Sequence, residues 1–318
     1  MLNLILRRIA YAAPIALGVS IVCFSLVYLA PGDPLQTVLP PDATQDVIDL
    51  IKKEYGFDKP IPVQFGLWLW HVLQGDFGVS IGSRRPVINE VLGSLRNTLV
   101  LVGFAVPIAF MIGYSLGAVA GCFTGTWLDR LVTGFAVMGV SLPNYWLGIV
   151  LVIAFAVELA WLPATGMGPR GSDAFSIFDV NDLRYMVMPV FTLSMIPIGI
   201  IARSTRAAVA EIRGQDFIIT LRAKGLGEAA VIRHVLKNSL PQVLAVMGLQ
   251  FGYLMGGSIL IETVFTWPGS GFLLAKAIIA RDIPVLQGAI LLLSLVFVAT
   301  NLVVDLLQST IDPRIRRA

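Results

Sequence analysis

The residues able to do covalent chemistry are few in this chain and poorly placed for it. Its two histidines, His71 and His234, are far apart in sequence. There is no HExxH helix, no paired-cysteine ligand set and no serine elbow of the strand–turn–helix kind. No lysine follows a glycine, which excludes a GxxxxGK[ST] nucleotide loop; if ATP drives this protein, another chain must bind it. The chemistry on offer is recognition. Between two long apolar stretches lies a charged island, Arg203 to Lys237, with seven of the 23 Lys and Arg against three acids. Its punctuation is that of two short helices. Asp216 is placed to cap the first, Arg222 and Lys224 fall in its last turn on either side of Ala223, and Gly225 sits where a left-handed residue ends a helix. Gly227 opens a second helix, which Pro241 closes or kinks. Phe217, Ile218 and Leu221 form an apolar ridge on the first helix, suited to a partner's groove or to the chain's own spans. A hook of this kind suits docking rather than catalysis.

The elements that must hold the hook are built for lipid. The chain is 56% hydrophobic and 14% charged, with a mean hydropathy of +0.81. Soluble domains carry roughly 25% charged residues, so composition predicts an integral membrane protein in a lipid bilayer, and the form of its apolar runs an all-α one. Continuous rather than alternating apolar runs favour helices over a barrel. Six stretches are long enough to cross, at about 9–30, 99–122, 131–157, 186–202, 239–261 and 284–304. The first follows Arg7 and Arg8 and reads as an uncleaved anchor, since it is too long for a signal-peptide core. Cys23 and Cys122 fall in or beside apolar spans and suggest no disulfide framework. The slight net charge of +3 gives no reason to expect nucleic acid. The organisation expected is a first helix in 1–30, a small extracytoplasmic cap in 31–93, a five-helix core in 94–308 carrying the hook in 203–238, and a tail in 309–318. The cap contains two helical stretches, one around TQDVIDLIKKEYGF, with Asp42 or Thr44 as cap and Val47, Leu50, Ile51 and Tyr55 as its apolar face, and one around WLWHVLQGDFG.

Charge sets the orientation. With both termini inside, the inner segments hold 13 Lys and Arg and the outer ones 10, of which Lys52, Lys53 and Lys59 lie deep in a long loop and count little. The hook is then cytoplasmic.

Within the spans, Gly113, Gly117 and Gly121 repeat every four residues, and so do Gly248, Gly252 and Gly256. Each set shares a helix face on which another backbone can approach closely. Pro143-Asn144 in the third span and Pro189 with Pro197 in the fourth interrupt the backbone ladder, as hinges, cavity linings or tolerated kinks. Glu158, Glu262 and Asp305 sit at span ends, where contact with water is expected. No ionisable group falls near a midplane, which speaks against an ion-coupled secondary transporter acting as a single chain, the alternative reading.

Several segments together resemble the oligopeptide/dipeptide/nickel branch of ABC importer permeases. Arg222-Ala223-Lys224-Gly225-Leu226, followed by Asn238 and Pro241, is similar to that branch's EAA loop. RRIAYAAPIALGVSIVCFSLVYLAPGDP resembles its first span, and YGFDKPIPVQFGLWLWHVLQGDFGVS its outer domain. ETVFTWPGSG and DPRIR resemble its fifth-span loop and its tail. Ile219-Thr220-Leu221 stand where older permeases have Glu-Ala-Ala. The resemblance implies a type I importer architecture and a non-catalytic subunit that binds no cofactor itself. It further implies a homologous second permease, two cytoplasmic ATPases that bind ATP and Mg, an extracytoplasmic substrate-binding protein and a peptide cargo. The loop at 215–227 would be the coupling helix that fits a groove on an ATPase.

Overall fold

A computed structural model describes residues 2–29, 39, 43–54, 58–172 and 175–311. Among these the architecture is helical, with one isolated antiparallel bridge between Val79 and Pro86. In chain order the helices are α1 (Leu2–Leu29), α2 (Gln45–Glu54), α3 (Ile61–Leu73), α4 (Val87–Cys122), α5 (Trp127–Ser141) and α6 (Asn144–Leu151), which continues as a π-helix over Val152–Glu158. There follow α7 (Val180–Arg213), α8 (Asp216–Ala223), α9 (Glu228–Val264), α10 (Ser270–Ala280) and α11 (Ile283–Ile311). Four of them, α4, α7, α9 and α11, are long and apolar enough to cross a membrane. A fifth crossing results if α5 and the α6 segment, bent by 96° at Leu142-Pro143, count as one broken span. The expected cap Asp42, Tyr55, the side chains of Ile51 and Asp305, and the DPRIR tail lie outside the described residues.

The chain divides into two compact units. The first comprises residues 1–97 and 269–298. In it α1 meets α3 through aromatic rings: Phe24 lies 5.5 Å from Phe65 and 5.8 Å from Trp68, centroid to centroid. The buried Gln64 accepts from the Tyr28 hydroxyl and donates to the Lys59 carbonyl. A second cluster packs Val87 and Val91 against Ala277, Val285 and Ala289. Asp282, buried at the turn into α11, accepts from Ser80 Oγ at 2.6 Å and the Gly82 N–H at 3.0 Å. That carboxylate fastens the 79–86 turn to the start of α11. On α2 the apolar residues Val47 and Leu50 are exposed.

The second unit comprises residues 98–268 and 299–318, and α7 is its axis. Its apolar window is 72% buried, against 33% for α4 and α9, because α4, α5, α6 and α9 surround it. The fourth span was expected over 186–202; the helix instead runs from Val180 to Arg213, straight through Pro189 and Pro197. Polar residues depress the hydropathy of its two ends without ending the helix. The Asp179 side chain caps the start by accepting from the Asn181 N–H, and Arg206 near the other end is paired. Pro241 likewise fails to close its helix: α9 is continuous from the hook into the fifth span. One turn before that proline, the Leu236 carbonyl accepts from the Tyr114 and Ser239 hydroxyls. Glu262 corrects a third expectation. It is fully buried rather than in water, and its carboxylate accepts from Thr98 Oγ1 at 2.7 Å.

Candidate docking site on the charged hook

The hook is the turn α7–α8–α9. Helix α7 ends at Arg213, Gly214 and Gln215 redirect the chain, and α8 begins at Asp216. Asp216 is therefore the first helical residue rather than the cap; Gln215 holds the cap position and makes no side-chain bond there. In the first turn the Asp216 carboxylate still faces the positive end of the helix dipole. The exit matches the glycine signal. Gly225 has φ of 80°, its N–H donates to Arg222 O at 2.9 Å, and the Leu226 N–H reaches back to Leu221 O at 3.2 Å. These two bonds form a Schellman closure, which satisfies carbonyls that the helix end leaves open. Gly227 then caps α9 in extended conformation.

The expected ridge is split. Ile218 is fully buried in this chain's own cluster with Val209, Ile212, Val231 and Val235, and Leu221 packs partly against it. Phe217 and Ile219 stay outside, 36% and 63% exposed. An eight-residue helix has only about two turns, so one face must anchor it and the opposite face is what remains for a partner. The outward set is Asp216, Phe217, Ile219, Thr220, Ala223, Lys224 and Gly225. Arg222 turns back to Glu228, with Nη2 3.0 Å from Oε1. Ile219, exposed at the centre of this face, falls outside the expected ridge, whose spacing does not tell the anchoring side of the helix from the free one.

Behind the hook the spans are drawn together by glycine. A Cβ on Gly113, Gly117 or Gly121 would meet α7 at 2.9, 2.3 and 2.7 Å, the first two against the carbonyl oxygens of Ile198 and Ala202. That face of α4 therefore lies on α7. The second glycine set behaves differently. Gly248 abuts the Val304 side chain, Gly252 is buried, and a Cβ on Gly256 would meet nothing within 4 Å. Gly199, a lone glycine without a motif, makes a contact of the first kind: its Cβ would come within 2.4 Å of Ala136 O on α5. Near the hook, Arg206 on α7 forms a bidentate pair with the buried Asp129 of α5, Nη2 to Oδ2 at 2.8 Å, and Oδ2 also accepts from the Gly125 N–H. Arg213 donates to the Cys122 carbonyl at 2.9 Å. Neither arginine is a sequence neighbour of its partner, and no motif announces the pairing.

At the opposite end of α7 is a cleft of about 760 Å³ lined by Arg170, Asp179, Asn181, Arg184 and Tyr185 beside apolar Val157. Its charges are engaged with one another and with the backbone: Arg170 pairs with Asp179 and Asp182, and Arg184 donates to Trp161 O.

Comparison with known proteins agrees from end to end. The model of the binding-protein-dependent transport system inner membrane component family matches residues 113–317, and that of its N-terminal region matches residues 1–102. The chain is 40% identical to the glutathione transport system permease protein GsiC of Salmonella paratyphi A over 317 residues, covering 99% of both chains. It is 40% identical to the dipeptide transport system permease protein DppB of Alkalihalophilus pseudofirmus, covering 99% of this chain and 100% of that one. Among solved structures, a chain of the MetNI methionine ABC transporter in an inward-facing conformation superposes with a TM-score of 0.54 at 18% identity, over 71% of this chain and 96% of that one. At that identity the likeness is one of fold.

Proposed function

Because the chain belongs to the family of binding-protein-dependent transport system inner membrane components, we infer that it is the permease subunit of an ATP-driven ABC importer for di- or oligopeptides. The observation that carries this reading is the near-complete alignment to permeases named for glutathione and dipeptide transport. The peptide cargo follows from those names. The hook supplies the mechanical element: a surface helix anchored on one side by Ile218 and open on the other through Phe217 and Ile219. In this reading α8 sits in a groove of a cytoplasmic ATPase, and a homologous second permease completes both the pore and a second hook. ATP and Mg bind on the ATPases, an extracytoplasmic protein delivers substrate, and closure of the ATPase pair draws the two hooks together. The subunit itself catalyses nothing. Six spans, with α1 as the first, and both termini inside complete the proposal.

Reconstitution tests it. The purified chain alone in liposomes is expected to hydrolyse no ATP and accumulate no peptide. Together with its ATPases, second permease and binding protein it is expected to do both. Phe217→Asp places a charge where an apolar side chain would be buried in the groove, a loss of ~1.5–3 kcal/mol of burial before any cost of the carboxylate. It should release the ATPases while leaving membrane insertion unchanged. Accumulation by the chain alone on an ion gradient would instead establish a secondary carrier.

Orientation has its own test. In a background lacking Cys23 and Cys122, single cysteines at Asp49 and Phe178 are expected to react with an impermeant thiol reagent added to intact cells. A cysteine at Lys224 should react only after permeabilisation. Labelling of position 224 in intact cells would put the hook on the wrong side for any ATPase.

A further inference from the structure

Helix α8 is tied to the body by one apolar plug and one polar knot, and the two do different work. The plug is centred on Ile218, buried among Val209, Ile212, Val231 and Val235, with Leu221 packed partly against the same cluster. Apolar contact is non-directional. It fixes how deep α8 sits but resists rotation about the plug only weakly, and the chain enters past Gly214 and leaves through Gly225 and Gly227. The knot is the carboxylate of Glu228. Its Oε1 accepts from Arg222 Nη2 at 3.0 Å and from Arg213 Nη2 at 3.4 Å, and its Oε2 accepts from Arg222 Nε at 3.3 Å. Arg222 belongs to α8, Arg213 ends α7 and Glu228 begins α9. Arg213 extends the knot to a fourth element, since its Nη1 donates to the carbonyl of Cys122, the last residue of α4. Charge-assisted bonds of this type are directional.

We propose that Glu228 is a positioning residue for energy coupling: it fixes the angle of α8 on its plug, so that force applied to Phe217 and Ile219 moves α4, α7 and α9 together instead of swivelling the hook. The proposal rests on the coupling role given to the hook above. Exposed ion pairs add little to stability, so loss of the knot leaves the hook folded. What it removes is transmission.

The test uses the complete transporter in liposomes, with ATP hydrolysis and peptide uptake measured on the same vesicles. Glu228→Gln keeps the shape and removes the charge. It is expected to retain the ATPases at wild-type stoichiometry and to keep hydrolysing ATP, while peptide imported per ATP falls by roughly fivefold or more, the lower end of coupling between linked sites. Glu228→Asp, which keeps the charge, is expected to recover most of that ratio. An unchanged ratio in Glu228→Gln overturns the proposal, because the plug alone would then hold the angle. Loss of the ATPases in that variant also overturns it, by making Glu228 part of the docking face. Equal loss in Asp and Gln removes the charge from the argument and overturns it likewise. A wild-type chain that recruits no ATPase at all would instead sink the functional reading, and the knot's role with it.

Discussion

Gly117→Val is expected to prevent the chain from reaching a folded state that survives detergent extraction. A Cβ at Gly117 would stand 2.3 Å from the Ala202 carbonyl oxygen and 2.6 Å from Thr205 Cβ. Neither atom is the free end of a side chain, so neither can swing aside; α4 and α7 must part. Overpacking typically costs about 1–3 kcal/mol where side chains can repack, and here backbone must move and valine adds two further methyls. Separation also undoes the contacts at Gly113 and Gly121, which share the face. The alanine series should follow what each Cβ meets. Gly117→Ala should be the most damaging, against rigid backbone. Gly248→Ala should be milder, because the obstructing atoms, the nearest a methyl at 2.1 Å, belong to the Val304 side chain. Gly256→Ala meets nothing within 4 Å and gains helix propensity of up to ~1 kcal/mol, so it should be at least as stable as the parent. Thermal unfolding in detergent, followed as loss of the monodisperse peak, gives the order. A Gly117→Ala chain as stable as Gly256→Ala would show that this glycine face is not a helix interface.

The two glycine repeats also show what sequence can and cannot reveal here. The spacing of Gly113, Gly117 and Gly121 places them on one helix face in any helix, and close approach follows from the missing Cβ. Which helix approaches is a tertiary fact, and α7 brings to that face residues about 85 positions later. The same spacing in α9 holds one glycine against a side chain and one against nothing, because spacing specifies a face and not its occupant. Hydropathy marked the four long apolar helices but misjudged the ends of α7, where Asp182 and Arg206 are paired inside the unit rather than marking water. Glu262 misled for the same reason: a carboxylate near a span end reads as wet until Thr98, 164 residues away, is seen to donate to it. The hook was legible in its punctuation, with Gly225 and Gly227 where the backbone needs them. Its facing was not, since the side of α8 that is buried depends on Val231 and Val235 of the next helix.

Removing Arg206 is expected to damage the protein more than removing its partner Asp129. The pair is asymmetric: the Asp129 side chain is 6% exposed and that of Arg206 37%. Arg206→Ala strands a carboxylate that accepts also from Gly125 N–H at 2.9 Å and Thr133 Oγ1 at 3.3 Å, so it is held in place and cannot turn to water. Breaking one half of such a pair is costly when the charge left behind is the one out of water, and here that is the carboxylate. Asp129→Ala leaves a guanidinium that already reaches solvent and can rehydrate by a rotamer change, so its cost should be the smaller of the two. The double variant Asp129→Leu with Arg206→Met replaces both charges with apolar volume and should recover much of the loss, since buried pairs often contribute little net stability over apolar packing. Unfolding midpoints of the three variants in detergent decide it. If Asp129→Ala is the worse of the single variants, the stranded charge is not what matters, and the Asp129 contacts to Gly125 and Thr133 hold the α4–α5 turn in their own right. If the double variant is no better than Arg206→Ala, the pair is needed for its direction as well as its charge, fixing the angle at which α5 leaves that turn to lie along α7.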